Sequence, residues 1–251
     1  MAEKLVIAPQ IVVYKNLFKN SSGLIDELEL DKYNSVFSKW NSWYDQGLRK
    51  NCSFSTNTEK DNLETLYLKE IVDCIDYIKQ DYFSEFGKDG GIWPDFIKDW
   101  DLVTRKNTIS YLDYFKYDSR SYNDDETTYK MEYHVDDFLL ESNASGMRHI
   151  VTINFYLNDN YDGGEICAYD SASGKSYKYK PKAGDAVVMP STQPFYHAVK
   201  NFNADRYFLR SFVDYHVSGD IDWDKMMKAQ EEYVLNDMQI VKIKSEESEV
   251  S

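Results

Sequence analysis

The chain has 251 residues, with 43 acidic against 29 basic side chains and a formal net charge of −14. That field has the wrong sign for wrapping nucleic acid or lying on anionic lipid, and 42% hydrophobic with 16% aromatic residues exclude a mainly disordered chain. The three cysteines, Cys52, Cys74 and Cys167, form no CxxC, which excludes a disulfide scaffold and zinc-finger spacing and points to a reducing compartment.

The opening MAEKLVIAPQ lacks the charged start and long apolar stretch of a signal peptide. No apolar run approaches the ~18 residues that a spanning helix needs. The expectation is a soluble cytoplasmic protein that uses neither membrane nor nucleic acid.

In chain order, Leu5–Ile7 and Ile11–Tyr14 read as short strands, and the rest of the first hundred residues reads mainly as helix. The clearest helix follows Asn57-Thr58. There Leu63, Leu66, Ile71, Cys74, Ile75, Ile78 and Tyr82 recur at helical steps, and Gly87 supplies a stop. From Thr108 the pattern changes to period two. Strands are predicted at Thr108–Tyr117, Tyr129–Val135, His149–Leu157, Glu165–Tyr169, Ser176–Lys180, Asp185–Met189, Phe195–Val199 and Arg206–Tyr215. Asn158-Asp159-Asn160, Asp162-Gly163-Gly164, Ser173-Gly174 and Ala183-Gly184-Asp185 are turn chemistry between them. This many short strands in succession predict an antiparallel sandwich or barrel such as a jelly roll. A last helix, Trp223–Met238, follows an Asp222 cap, and Ser245–Ser251 reads as a solvated tail. With five Pro and no Pro-rich linker, the expectation is one domain over 1–251 of α+β class with a mainly β core. Residues 1–107 form a mainly helical support, 108–217 a jelly-roll core with the site, and 218–251 a C-terminal helix and tail.

Only four histidines are present, so each can be weighed. In a strand, His134 and Asp136 point to one face and Val135 to the other, giving two adjacent ligand positions. Three strands and their turns separate this pair from His197, enough chain for a sandwich to fold His197 back onto it. Two imidazoles and one carboxylate form a facial triad suited to non-haem Fe(II), with open positions for a chelating substrate and O2. Arg206 opens the next strand. A planar guanidinium there can grip a carboxylate through two parallel hydrogen bonds, which Lys cannot. His216, ten residues past Arg206, is expected to be structural or exposed. No Ser-His-Asp or Cys-His arrangement competes, and neither GxGxxG nor GxxxxGK[ST] occurs. Two other classes stay open on these residues alone. A His2Asp site also holds Zn2+ with a water, as in hydrolases, and a β-sandwich can serve as a binding module without catalysis.

The ordered series His134-Val135-Asp136, Tyr156-Leu157-Asn158, Gly163-Gly164-Glu165, Pro181-Lys182-Ala183-Gly184-Asp185, His197-Ala198-Val199 and Arg206-Tyr207 resembles the 2-oxoglutarate (2OG) and Fe(II)-dependent dioxygenases of the prolyl 4-hydroxylase-like branch. Order and spacing agree over about Thr108–Tyr215. The resemblance implies a double-stranded β-helix, with His134, Asp136 and His197 as iron ligands. It implies Arg206 as the anchor for the distal carboxylate of 2OG, with Tyr156 and Tyr117 as companions in that pocket. It also implies ascorbate as an accessory, and hydroxylation of a peptidyl proline with O2 while 2OG becomes succinate and CO2. A free amino acid or other small molecule is the alternative substrate. His149 has the opposite strand parity from Tyr156, so a regular strand keeps it out of that pocket.

Two departures carry expectations of their own. Arg210 stands where the family commonly has a small or hydroxyl residue, and it needs a partner: the cosubstrate, the primary substrate, or a local carboxylate such as Asp185. The stretch Asp118–Asp137 is acidic and lacks the family's Gly-rich loop. It reads as a solvated loop or, as the family's loops there suggest, as a lid favouring basic or neutral peptides.

Overall fold

A computed structural model describes residues 2–29, 38–40, 49–55, 65–86, 111–117, 129–136, 147–191 and 195–216. In chain order these form β1 (Glu3–Ala8), β2 (Ile11–Lys15), α1 (Ser21–Leu28), β3 (Ser38–Trp40), β4 (Arg49–Ser55) and α2 (Thr65–Phe86). Eight strands follow: β5 (Tyr111–Tyr117), β6 (Tyr129–His134), β7 (Met147–Tyr156), β8 (Ile166–Asp170), β9 (Lys175–Tyr179), β10 (Ala186–Pro190), β11 (Phe195–Lys200) and β12 (Arg206–His216). They are the eight strands expected from the alternation, with ends shifted by at most three residues. The helix Trp223–Met238, the tail Ser245–Ser251, Gly87 and most of the acidic stretch 118–137 lie outside the described residues.

The strands make two antiparallel sheets, an eight-stranded one in the order β1-β2-β10-β7-β12-β5-β4-β3 and a four-stranded one in the order β6-β11-β8-β9. This is the double-stranded β-helix expected from the sequence. The residues before 108 contribute strands to both edges of the larger sheet as well as helices. β3 and β4 have no counterpart among the expected strands. Ser38-Lys-Trp and Arg49-Lys-Asn-Cys-Ser-Phe-Ser show no clean alternation, and their pairing comes from the ladder that β4 makes along the whole of β5.

Strand alternation divides the larger sheet into two chemically different faces. Val12 and Tyr14 of β2, Leu112 and Tyr114 of β5, Val151, Ile153 and Phe155 of β7, Ala186 and Val188 of β10, and Leu209 and Val213 of β12 all join one buried cluster. The helices seal it with Leu24 and Leu28 from α1 and with Ile71, Cys74, Ile75, Ile78 and Tyr82 from α2. The last five belong to the helical stripe read from the sequence, of which Leu63 lies outside the described residues. The intervening residues point the other way. Ile11, Val13, Val187, Met189 and Tyr156 pack with Ile166, Ala168 and Phe195 of the smaller sheet.

The turn before β10 ties the larger sheet to the chain entering α1. The Phe18 N–H donates to the Gly184 carbonyl at 3.0 Å, and the Gly184 N–H donates to the Tyr156 carbonyl at 2.8 Å. Asp185 accepts from the Asn16 and Lys182 N–H groups at 2.9 Å each and from the Tyr179 hydroxyl at 2.7 Å. Gly184 has φ +84, and a Cβ placed on it would stand 2.7 Å from the Phe18 carbonyl oxygen. Gly184→Ala is therefore expected to destabilise the fold by about 1–3 kcal/mol. Urea unfolding checks this, and an unchanged midpoint would contradict it.

Candidate active site

Cross-strand register assembles the site. His197 on β11 pairs directly with His134 on β6, and side chains opposite each other in a ladder share a face. Asp136 stands two residues past His134 on the same face. His134 Nε2 is 3.8 Å from Asp136 Oδ1, and His197 Nε2 is 3.6 Å from Asp136 Oδ2. The two imidazole centroids are 4.2 Å apart. One donor atom from each residue lies within 4.8 Å of the others. The three side chains are almost wholly buried, at 7% exposure for His134 and 8% for Asp136 and His197.

The protonation states suit a cation. Burial opposes charge on Asp136, but His197, His134, Arg210 and the Thr152 hydroxyl outweigh it and hold the carboxyl down at about 2. Burial and the neighbouring His134, against the pull of Asp136, lower the His197 imidazole to about 4. At neutral pH His197 is thus an unprotonated imidazole beside an ionised carboxylate, the forms in which both bind metal. A hydroxyl pair on the larger sheet fixes the carboxylate. Thr152 Oγ1 donates to Asp136 Oδ2 at 2.6 Å and lies 2.8 Å from Ser191 Oγ.

Deeper between the sheets lies Arg206, 3% exposed. It pairs across the ladder with Tyr117, and Phe208 two residues on pairs with Tyr156. The Arg206 Cζ is 5.1 Å from the Tyr156 ring centroid, 5.5 Å from Phe202, 5.6 Å from Phe208 and 5.9 Å from Tyr161. Tyr117 stacks on Phe208 at 5.7 Å and meets Phe202 edge-on. Burial keeps the Tyr156 phenol protonated well above neutral pH, against the pull of Arg206. No carboxylate among the described residues stands within ion-pair distance of Arg206, and its Nε has no hydrogen-bond partner. A guanidinium remains charged under all these conditions, so a full positive charge is held in an aromatic cage with its Nε donor unspent. His197 Nδ1, Asn154 Oδ1 and Arg210 Nε are likewise buried without a partner. Unmet buried polar atoms are costly. Gathered on one site, they fit a polar, anionic guest and a cation beside it.

The six residues singled out from the sequence therefore come together in two adjoining groups, the triad and the Arg206 cage. Reading the sequence missed Thr152, Ser191, Asn154, Asp113, Tyr161 and Phe202. For three of them a signal was present. Thr152 and Asn154 share parity with Tyr156 in an otherwise apolar strand, and Asp113 shares parity with Tyr117. His149 needs a correction. The register of β7 against β12 slips between Val213 and Asp214, leaving Ile150 unpaired. That bulge reverses the parity upstream of it, and the His149 ring stacks on Phe212 at 4.0 Å instead of facing the helices. Asp185 is occupied in its turn and is not the partner of Arg210. Arg210 Nη2 stands 3.5 Å from Asp113.

Residues 117–214 match the family model for the 2OG-Fe(II) oxygenase superfamily, so the resemblance read from the sequence stands over that segment. Three solved structures share the fold. A Trichoplax adhaerens prolyl hydroxylase in complex with a hypoxia inducible factor oxygen degradation domain peptide fragment is 18% identical, with TM-score 0.52 over 82% of this chain and 83% of that one. A Pseudomonas putida prolyl-4-hydroxylase is 14% identical, with TM-score 0.52 over 80% and 90%. The viral collagen prolyl hydroxylase of Paramecium Bursaria Chlorella virus-1, as a 2OG complex, is 10% identical, with TM-score 0.51 over 83% and 97%. No curated protein matches this chain by sequence. Among the described residues no helix is long and apolar enough to cross a membrane.

Thr152→Val keeps the shape of the side chain and removes its hydrogen bonds. If the three donor atoms hold a divalent ion, this change should weaken Mn2+ binding about 10-fold. Calorimetry on the purified variant checks this, and wild-type affinity would contradict it.

Proposed function

We propose that this protein is a 2OG- and O2-dependent Fe(II) hydroxylase acting on prolyl residues of a peptide or protein. His134, Asp136 and His197 hold Fe(II), and Arg206, with Tyr156 and Tyr117 beside it, takes the distal carboxylate of 2OG. The observation that carries this reading is Arg206, a buried guanidinium with no carboxylate among the described residues within ion-pair distance. Zinc-type hydrolysis at the same triad would not need such a charge, and a binding module would not need the triad.

Iron and 2OG, when bound, supply the oxidising chemistry: 2OG passes to succinate and CO2 while one atom of O2 becomes a hydroxyl on the substrate. The chain supplies the rest. Thr152 and Ser191 keep Asp136 in one orientation. Tyr117, Tyr156, Phe202 and Phe208 exclude water from Arg206, which strengthens its grip on a carboxylate in the low-dielectric interior. The Tyr156 phenol remains a donor at neutral pH.

A peptide substrate is supported by the fold shared with a prolyl hydroxylase solved with a peptide. The net charge of −14 favours a basic or neutral one by long-range attraction. Ascorbate is proposed as the accessory reductant. The single-domain reading over 1–251 is supported by β2 and β4, which are hydrogen-bonded into the sheet that carries the site.

The test is aerobic incubation with Fe(II), 2OG, ascorbate and a panel of proline-containing peptides and free amino acids. Succinate formation and a gain of ~16 Da, one oxygen atom, on a prolyl residue are expected. Zinc-supported hydrolysis without succinate contradicts the reaction, and oxygen gained only by free amino acids contradicts the peptide substrate. His134→Ala is expected to abolish succinate formation while the melting temperature stays near wild type. Arg206→Ala should weaken 2OG binding to the Mn2+-loaded protein by roughly 10²–10³-fold, because a buried charge-assisted pair is lost. It should leave Mn2+ affinity nearly unchanged, since Arg206 donates no ligand.

A further inference from the structure

Arg210 lies on the same face of β12 as Arg206, about 13 Å further along the strand, and the reaction proposed above gives it no task. Its guanidinium is fixed more firmly than a surface arginine. The Cζ is 4.8 Å from the Phe115 ring centroid on one side and 4.9 Å from Phe212 on the other. Phe212 is backed by the His149 ring at 4.0 Å, and Phe115 by Phe208 at 4.8 Å. The two rings brace the guanidinium in the orientation it holds.

In that orientation its donors are under-used. Nη2 is 3.5 Å from Asp113, Nη1 is 4.0 Å from Asp136 Oδ1, and Nε has no partner. Well-formed guanidinium–carboxylate contacts close to about 2.7–2.9 Å. Arg210 therefore leans toward two carboxylates without closing on either, at a side-chain exposure of 25%. The charges are informative too. Arg206 and Arg210 cancel Asp113 and Asp136, and a divalent ion cancels a dicarboxylate. Neutrality inside the site is kept when the ion and the dianion bind together and lost when either binds alone.

We infer that Arg210 binds the carboxylate of 2OG adjacent to its keto group, at the metal, so that two guanidiniums hold the two ends of the cosubstrate. This rests on the proposed function. It follows from the reach of Arg210 to Asp136 Oδ1, the oxygen that His134 also approaches and that the Thr152 hydroxyl leaves free, which places the guanidinium beside a carboxylate sharing an ion held there.

The test uses full-length, Mn2+-loaded protein under anaerobic conditions and calorimetric titration with two probes. One is 2OG and the other is 2-oxopentanoate, which keeps the keto acid but lacks the distal carboxylate. Arg210→Met is expected to weaken both probes by the same factor, about 10- to 100-fold. Mn2+ affinity should be no lower than in wild type, because a neighbouring positive charge has been removed and no ligand lost. Arg206→Met should weaken 2OG alone. Should Arg210→Met fail to fold, Arg210→Lys is read instead. It keeps the charge without the planar fork and should give a smaller loss on both probes. Unchanged binding of both probes overturns the inference, as does a loss confined to 2OG. A matching fall in Mn2+ affinity also overturns it, because Arg210 would then act through Asp136. If wild-type Mn2+-loaded protein binds no 2OG, the proposed function fails and this inference with it. If wild type binds and the Arg210 variants bind equally well, only this inference fails.

Discussion

Everything in this molecule follows from period-two alternation held in register across the larger sheet. A strand presents successive side chains to opposite faces, and an antiparallel ladder makes neighbours agree on which face is which. Odd positions of β7 from Val151 to Phe155 and of β12 at Leu209 and Val213 feed the apolar cluster under the helices. Even positions place Thr152, Asn154 and Tyr156 beside Arg206, Phe208, Arg210 and Phe212. A one-residue slip would exchange the two sets, burying guanidiniums under α2 and exposing Ile153 and Phe155 to the site. The cost of either error is what pins the register. The site is thus one of the two faces of the sheet, and the core holds its geometry.

The electrostatics follow from the same placement. Arg206 is carried by its strand into a cage of rings. There its charge is expensive until an anion arrives. Asp136 faces the opposite problem, an ionised carboxylate almost fully buried. It is relieved by the Arg210 charge and the Thr152 hydroxyl. Rings around the cation and hydroxyls on the anion keep the two charges apart. Arg206 therefore does not collapse onto Asp136 to form an ion pair that would close the space between the sheets.

Most of the core strands and the triad were legible in the sequence, for a physical reason. Strongly alternating apolar strands such as His149–Leu157 and Arg206–Tyr215 declare both their conformation and their faces. His134, Asp136 and His197 then fall on one face whatever the details of the turns. The parts that were not legible depend on contacts between segments distant in the chain. β4 carries no alternation and is a strand because β5 pairs with it. His149 changes face because a bulge at Ile150 appears only when β7 is set against β12. The partner of Arg210 is Asp113, on the neighbouring β5. Asp185, a candidate from the sequence, is already held by Asn16, Lys182 and Tyr179. Ser191 and Tyr161 sit in loops, where no periodicity announces a side chain's direction.

The central claim is that one metal sits among His134, Asp136 and His197 while 2OG spans from that metal to Arg206. The most direct measurement is a crystal structure of the protein grown anaerobically with Mn2+ and 2OG. The expected result is a single ion within ~2.0–2.3 Å of His134, Asp136 and His197, in the range of ordinary nitrogen and oxygen ligation. The distal carboxylate of 2OG should lie within hydrogen-bond distance of the Arg206 guanidinium. An ion ligated by other residues, or 2OG bound with its distal carboxylate away from Arg206, would contradict the account.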